Sequence, residues 1–189
     1  MTRSDFYLTS ETIGLRGLRR EDIPLYRSWL ENREALHYME SGWRPSNDKE
    51  MEDIYLTSTQ SPDHAVFVIV AKQSGQPVGV CGLYLIQWIC RRGEFRILIG
   101  DSDSLGKGYG TEACRLTVAY GFDTLNLETI YLGVNADNAR AIRSYEKSGF
   151  RPEGRRRQLI FRNGRYYDAL MMSVLRQEYL TAKAAGQHA

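Results

Sequence analysis

A chain of 189 residues is long enough for one core of ordinary size, burying about 70% of the surface its unfolded form exposes. With 42% hydrophobic and 25% charged residues it has the composition of a soluble globular protein, and its formal net charge of +2 supplies no global attraction to DNA or to a membrane. The longest apolar-rich run is broken by Gln87 and falls short of the roughly 20 residues of a spanning helix; the first residues also lack a signal peptide's apolar stretch, so a cytoplasmic protein is expected.

In chain order, residues 13–18 read as a short strand, and Ile23, Tyr26 and Leu30 then recur at helical spacing within 20–32. A second helix is expected to begin near Asp48, after the turn residues 45–48. Two β-branched and aromatic runs, 64–72 and 77–86, flank the polar loop 73–76 and predict a hairpin, with a further strand over 94–99. After a glycine-rich loop, Ala113, Leu116, Thr117, Tyr120 and Gly121 keep helical spacing; a strand over 129–134 and a helix over 138–148, stopped by Gly149, follow. Residues 150–175 read as two long strands joined by Asn163-Gly164, a strong hairpin signal. The last eight or so residues look frayed, and no repeat or linker divides the chain, so one domain over 1–189 is expected.

Cys81, Cys90 and Cys114 are odd in number, lack C-x-x-C spacing and fall in apolar patterns, which predicts buried reduced thiols. His37, His64 and His188 are scattered, so no metal ligand set is visible and no metal is expected.

The loop Leu105-Gly106-Lys107-Gly108-Tyr109-Gly110-Thr111 opening a helix suits a phosphate, because glycines let main-chain N–H groups approach its oxygens and the first helical turn favours negative charge. A P-loop ending at Gly106-Lys107 would need glycine at Asp101 and a hydroxyl at Gly108, and fails twice. A G-x-G-x-x-G dinucleotide fingerprint is weakened, since the third glycine comes one residue early. On the later helix, Asn138, Ala141, Ile142 and Tyr145 share one face.

With that loop and the segment 135–150, the chain resembles the GNAT superfamily of acetyl-CoA-dependent N-acetyltransferases, whose loop pattern [QR]-x-x-G-x-[GA] falls on Leu105 to Gly110. Leu105 replaces the usual polar first residue and removes its side-chain contact while leaving the main chain available. The resemblance runs from residue 13 to residue 179 and is nearest the group containing ribosomal-protein N-terminal acetyltransferases and bacterial spermidine acetyltransferases. It implies an α/β GNAT fold, a mixed, mostly antiparallel twisted sheet flanked by helices, and a dimer or larger homo-oligomer. It also implies that main-chain groups from Gly106 to Thr111 wrap the pyrophosphate of acetyl-CoA, that the strand of Ile97, Leu98 and Ile99 pairs with the pantetheine amides, that Asn138 bonds the cofactor arm, and that Lys147 approaches the 3′-phosphate.

In that scheme an amine attacks the thioester directly. Tyr145 matches the family position that gives a hydrogen bond or proton to the leaving sulfur. An amine of pKa near 10.4 is neutral in only about one molecule per thousand at pH 7, so a base is needed; Glu94 is the leading carboxylate, with Asp101 behind it. A strand N–H is placed to polarise the carbonyl. No nucleophilic residue is required, so Cys114 is expected to be dispensable.

Residues 31–53 carry seven acids (Glu31, Glu34, Glu40, Asp48, Glu50, Glu52, Asp53) against three bases, and the resemblance sets this segment at the acceptor entrance. Trp29, Tyr38 and Trp43 line an acceptor pocket or pack in the core. The expected acceptor is a polyamine or other small amine; the alternatives are a protein N-terminus of ribosomal type, an amino (nucleotide-)sugar and, from another class, a non-catalytic acyl-CoA-binding sensor, which would have no use for Tyr145. Residues 151–165 carry six arginines against Glu153; the run Arg155, Arg156, Arg157 alternates faces in a strand, so only part of it addresses one ligand, or it keeps the hairpin soluble.

Overall fold

The computed structural model describes residues 5–33, 36–39 and 44–186. Eight strands form one sheet: β1 (Leu8–Thr9), β2 (Ile13–Gly17), β3 (Ala65–Ala71), β4 (Gln76–Gln87), β5 (Arg92–Ile99), β6 (Thr129–Asn135), β7 (Arg151–Arg162) and β8 (Arg165–Leu175). Their spatial order is β1-β2-β3-β4-β5-β6-β8-β7, with every neighbouring pair antiparallel except β5 and β6. The helices are α1 (Ile23–Glu31), α2 (Asp48–Gln60), α3 (Tyr109–Asp123), α4 (Ala139–Glu146) and α5 (Arg176–Ala184).

β3 is an unbroken apolar run because helices cover both faces of the sheet, leaving no side for polar alternation. Phe67 and Ile69 enter the larger core, which α3 and α4 close with Ala113, Val118, Phe122 and Tyr145. Val68 and Val70 enter the second core, beneath α1 and α2, with Trp29, Val80 and Leu98. Trp29 is therefore a core residue and not part of an acceptor pocket. The Asn163-Gly164 turn takes positive φ at both positions (51° and 80°), the backbone that a two-residue hairpin connection requires.

Three expectations change. Residues 176–184 form α5, held by Tyr179 packing on Phe122, so residues 182–184, expected to be frayed, are helical. Cys81 and Cys114 are buried, but Cys90 lies in the β4–β5 turn and is exposed. The alternation of Arg155, Arg156 and Arg157 is interrupted by an irregularity between Arg156 and Ile160 with Gln158 at φ 52°; all three arginines are exposed, and Arg155 pairs with Asp168 at 3.2 Å.

The entry of α1 is fixed by charge. Arg16 in β2 donates two hydrogen bonds of 2.7 Å to Asp22, which also accepts from the Arg19 N–H at 2.8 Å. The two side chains are only 11% and 7% exposed, so solvent screens this pair little. Burial alone would raise the Asp22 pKa, but the Arg16 and Arg19 hydrogen bonds and charges outweigh it and hold the carboxyl below its usual value. A depressed carboxyl stabilises the fold above its unfolded value near 3.9, and that contribution is lost as pH falls through the folded value. Asp22→Asn, which leaves the Arg16 charge buried without a counter-ion, is expected to cost roughly 3 kcal/mol near neutral pH. Denaturant unfolding checks this: the gap between parent and variant should narrow between about pH 5 and pH 2 as the parent carboxylate protonates.

Candidate active site

The site starts from a fork in the sheet. On one edge β5 pairs with β4 up to Ile99; on the other, parallel pairing with β6 holds only at Arg92, Gly93 and Glu94, against Thr129, Ile130 and Tyr131. From Phe95 to Ile99 that second edge has no strand partner among the described residues, so every second residue presents an unused N–H and C=O. Ile97, Leu98 and Ile99, singled out from the sequence, all lie on it. Their side chains alternate: Phe95, Ile97 and Ile99 pack on the α3–α4 side and Leu98 on the α1–α2 side.

At the end of β5 the chain makes a short 3-10 turn (Ser102–Ser104) and enters the glycine loop. Gly106 and Gly108 have φ of 81° and 89°, and a Cβ at either would meet nothing within 4 Å, so left-handed backbone and not crowding requires glycine there. The main-chain N–H groups of residues 106–110 donate to no protein acceptor among the described residues. The Thr111 N–H does not join them, since it donates to Gly108 O at 2.9 Å, while its hydroxyl shares a 2.8 Å hydrogen bond with Ser144 of α4. Leu105 is half-buried, Lys107 exposed, and Tyr109 buries its side chain in the main core, leaving only its main chain for a ligand. Glu112 pins this first turn of α3 to the N-terminal hairpin by accepting from the Thr12 hydroxyl at 2.8 Å, the Thr12 N–H at 3.2 Å and the Ser10 hydroxyl.

Tyr145 on α4 is half-buried, edge-on to Phe95 at 6.1 Å between ring centroids and 5.9 Å from Phe150. Its hydroxyl has no hydrogen-bond partner among the described residues, and burial pushes the phenol pKa well above its usual range, the nearby Cys114 adding to the rise. Asn138 uses its side-chain oxygen to cap α4 through the Ala141 N–H at 3.1 Å, so only its Nδ2 remains for a ligand. Lys147 is exposed at the C-terminal end of α4, where its carbonyl accepts from Arg115 at 3.1 Å. Sequence reasoning missed Asn135, an amide closing an apolar strand. It is 2% exposed, its oxygen accepts from the Asp137 N–H, and its Nδ2 has no partner.

On the α1–α2 side a cavity of about 280 Å³ opens against the sheet, lined by Tyr26 and Leu30 of α1, Glu50 and Ile54 of α2, and Tyr84, Arg96 and Leu98 of the sheet. Glu94 stands at the last paired position of the fork and forms a 2.7 Å ion pair with Arg96. Asp101, the second base candidate, instead caps the 3-10 turn, accepting from the Asp103 N–H and the Ser104 hydroxyl. Of the acidic segment, Glu52 pairs with Arg20 at 2.6 Å and Asp48 with Arg27 at 2.5 Å, whereas Glu50 lines the cavity, 3.6 Å from Arg44, with Oε2 buried and without a hydrogen-bond partner. Tyr38 packs edge-on to His37 and does not line the cavity. Glu34, Glu40 and Trp43 lie outside the described residues. Among the described residues no group of three or more His, Cys, Asp or Glu is arranged to hold a metal ion, and no helix is long and apolar enough to cross a membrane.

Comparison with known proteins bears on the family and the fold. The family described as "Acetyltransferase (GNAT) domain" matches residues 12–151. Spermidine N(1)-acetyltransferase of Escherichia coli K12 is 33% identical over 183 residues, covering 95% of each chain. The crystal structure of spermidine N-acetyltransferase from Vibrio cholerae in complex with CoA and spermine superposes with a TM-score of 0.82 at 31% identity, covering 90% of this chain and 99% of that one. A dodecameric structure of the Vibrio cholerae enzyme in an intermediate state gives a TM-score of 0.78 at 32% identity, covering 90% and 98%.

The surroundings of Tyr145 have a spectroscopic consequence. Phenolate absorbance titrated in the parent and in Tyr145→Phe should show no difference near pH 10, where an ordinary phenol ionises. One phenol more titrating there in the parent would contradict the apolar packing.

Proposed function

The chain belongs to the GNAT acetyltransferase family, and from that premise we propose that it transfers an acetyl group from acetyl-CoA to a primary amine of a polyamine, acting as a homo-oligomer. The observation that carries this reading is the open β5 edge between Phe95 and Ile99, with unpaired loop amides at one end, Tyr145 on one face and the α1–α2 cavity on the other. The similarity to spermidine acetyltransferases over most of the chain supports the acceptor class. The dodecamer of the Vibrio cholerae relative supports homo-oligomerisation. Free thiols at all three cysteines suit a reducing compartment such as the cytoplasm.

The residues present fit the coenzyme. The N–H groups of residues 106–110, at the start of α3, supply donors and positive dipole to a pyrophosphate. The free edge of β5 is complementary to the amide-bearing arm, as an added strand would be. The Nδ2 atoms of Asn135 and Asn138 are further donors at the end of β6 and the start of α4, and Lys147 with Arg115 forms the basic group suited to the 3′-phosphate. When bound, the coenzyme supplies a thioester that an amine attacks directly.

Catalysis then needs two protons managed. Tyr145 keeps its proton because its packing raises its pKa, so it serves as a hydrogen-bond donor to the leaving sulfur at any working pH. Glu94, on the cavity side of the fork, is the carboxylate to receive the proton of the amine. Cys114, fully buried with its thiol pKa pushed up to about 12 chiefly by desolvation, stays neutral and has no part in transfer. A non-catalytic sensor would have no use for the unpartnered Tyr145 hydroxyl.

A thiol-release assay with spermidine tests the reading. Tyr145→Phe is expected to lower kcat about 100-fold while acetyl-CoA affinity stays within about twofold. Unchanged kcat removes Tyr145 from the reaction, and absence of spermidine acetylation by the parent removes the proposed acceptor.

A further inference from the structure

We propose that Arg96 occupies the acceptor-ammonium subsite as a built-in competitor, which an incoming amine must displace before it reaches Glu94. The inference rests on the amine-acceptor reading above and adds a specificity-determining residue to it.

The surroundings of the Arg96 guanidinium are those that recognise an alkylammonium. It lies over the Tyr84 ring, 5.1 Å from the centroid, and bonds the Glu94 carboxylate at 2.7 Å. An aromatic face and a carboxylate together attract a compact cation. The register explains why the guanidinium lands there. Glu94 is opposite Tyr84 and Arg96 opposite Gly82, so the side chain beside Tyr84 meets no bulk directly across the ladder and lies over the neighbouring ring.

That position is inside the candidate acceptor cavity, which Tyr84, Arg96 and Glu50 all line. Glu50 pairs loosely with Arg44 through Oε1, while its Oε2 is buried without a hydrogen-bond partner, so a second carboxylate oxygen faces the cavity. An ammonium entering the cavity therefore meets Glu50, with Arg44 3.6 Å away, and at the sheet end Glu94, held by Arg96 at 2.7 Å in the closer of the two ion pairs. With its side chain 50% exposed, Arg96 has solvent to swing into. Once it leaves, the substrate ammonium takes its place against Glu94, which brings the proton to be removed next to the carboxylate that removes it. The exchange costs affinity, because the ion pair and the ring contact of Arg96 are given up for those of the substrate.

Calorimetric titration of spermidine into CoA-saturated protein reads the subsite without turnover. Arg96→Gln is expected to tighten spermidine binding about tenfold, the combined scale of the displaced ion pair and cation–π contact. Arg96→Lys keeps the charge and should stay within about threefold of the parent. The spermidine KM should fall with the binding constant in Arg96→Gln, with the acetyl-CoA KM unchanged. Equal or weaker binding in Arg96→Gln, equal tightening in Arg96→Lys, or no saturable heat in any of the three overturns the inference. Tightening without acetylation supports the subsite and contradicts the proposed reaction; acetylation without tightening does the reverse.

Discussion

The constraint on which the rest depends is the failure of β5 and β6 to stay paired. The parallel ladder between them ends at Glu94 and Tyr131, although β5 continues to Ile99 and β6 to Asn135. Unpaired main-chain groups in the middle of a sheet are costly unless water or a ligand meets them. The fork therefore turns a structural element into a binding edge, and it does so between two separately packed faces. Phe95 leads to Tyr145 on one side, and Glu94 leads to the cavity under α1 and α2 on the other. In the proposed reaction, a thioester lying along the edge would have the sulfur donor on one side and the acceptor of the amine proton on the other.

The two helices that complete the site are tied to each other and to the sheet by polar contacts at their first turns. Thr111 of α3 bonds Ser144 of α4, next to Tyr145, so the end of the loop is tied directly to α4. Glu112 fastens the same turn of α3 to the N-terminal hairpin. Left-handed glycines leave the loop amides aimed outward, while the helix that follows is anchored on both sides. Rigid support around an open ligand edge lowers the ordering cost of binding.

Most elements were legible in the sequence because their signals are local. The β3–β4 hairpin, the glycine loop before α3, the Gly149 stop after α4 and the Asn163-Gly164 turn each declare themselves within a few residues. What stayed hidden depends on partners far along the chain. α5 buries little besides Tyr179 and so lacks a periodic apolar face. The capping role of Asp101 is local by contrast, but the 3-10 turn it caps is not apparent from composition. Tyr84 and Arg96 meet through strand register, and Glu50 joins them through the docking of α2, so neither spacing nor charge counting singled them out. The net negative segment 31–53 misled in part: Asp48 and Glu52 are paired on the surface, and of that segment's described acids Glu50 alone lines the cavity.

Amide hydrogen exchange with and without acetyl-CoA tests the central claim most directly, because it reads the main chain that is assigned the binding role. The account predicts that the coenzyme slows exchange together at residues 95–99 of β5 and at residues 106–110 of the loop, with little change in β3. Protection confined to the loop, or absent from both segments while acetyl-CoA is bound, would contradict it.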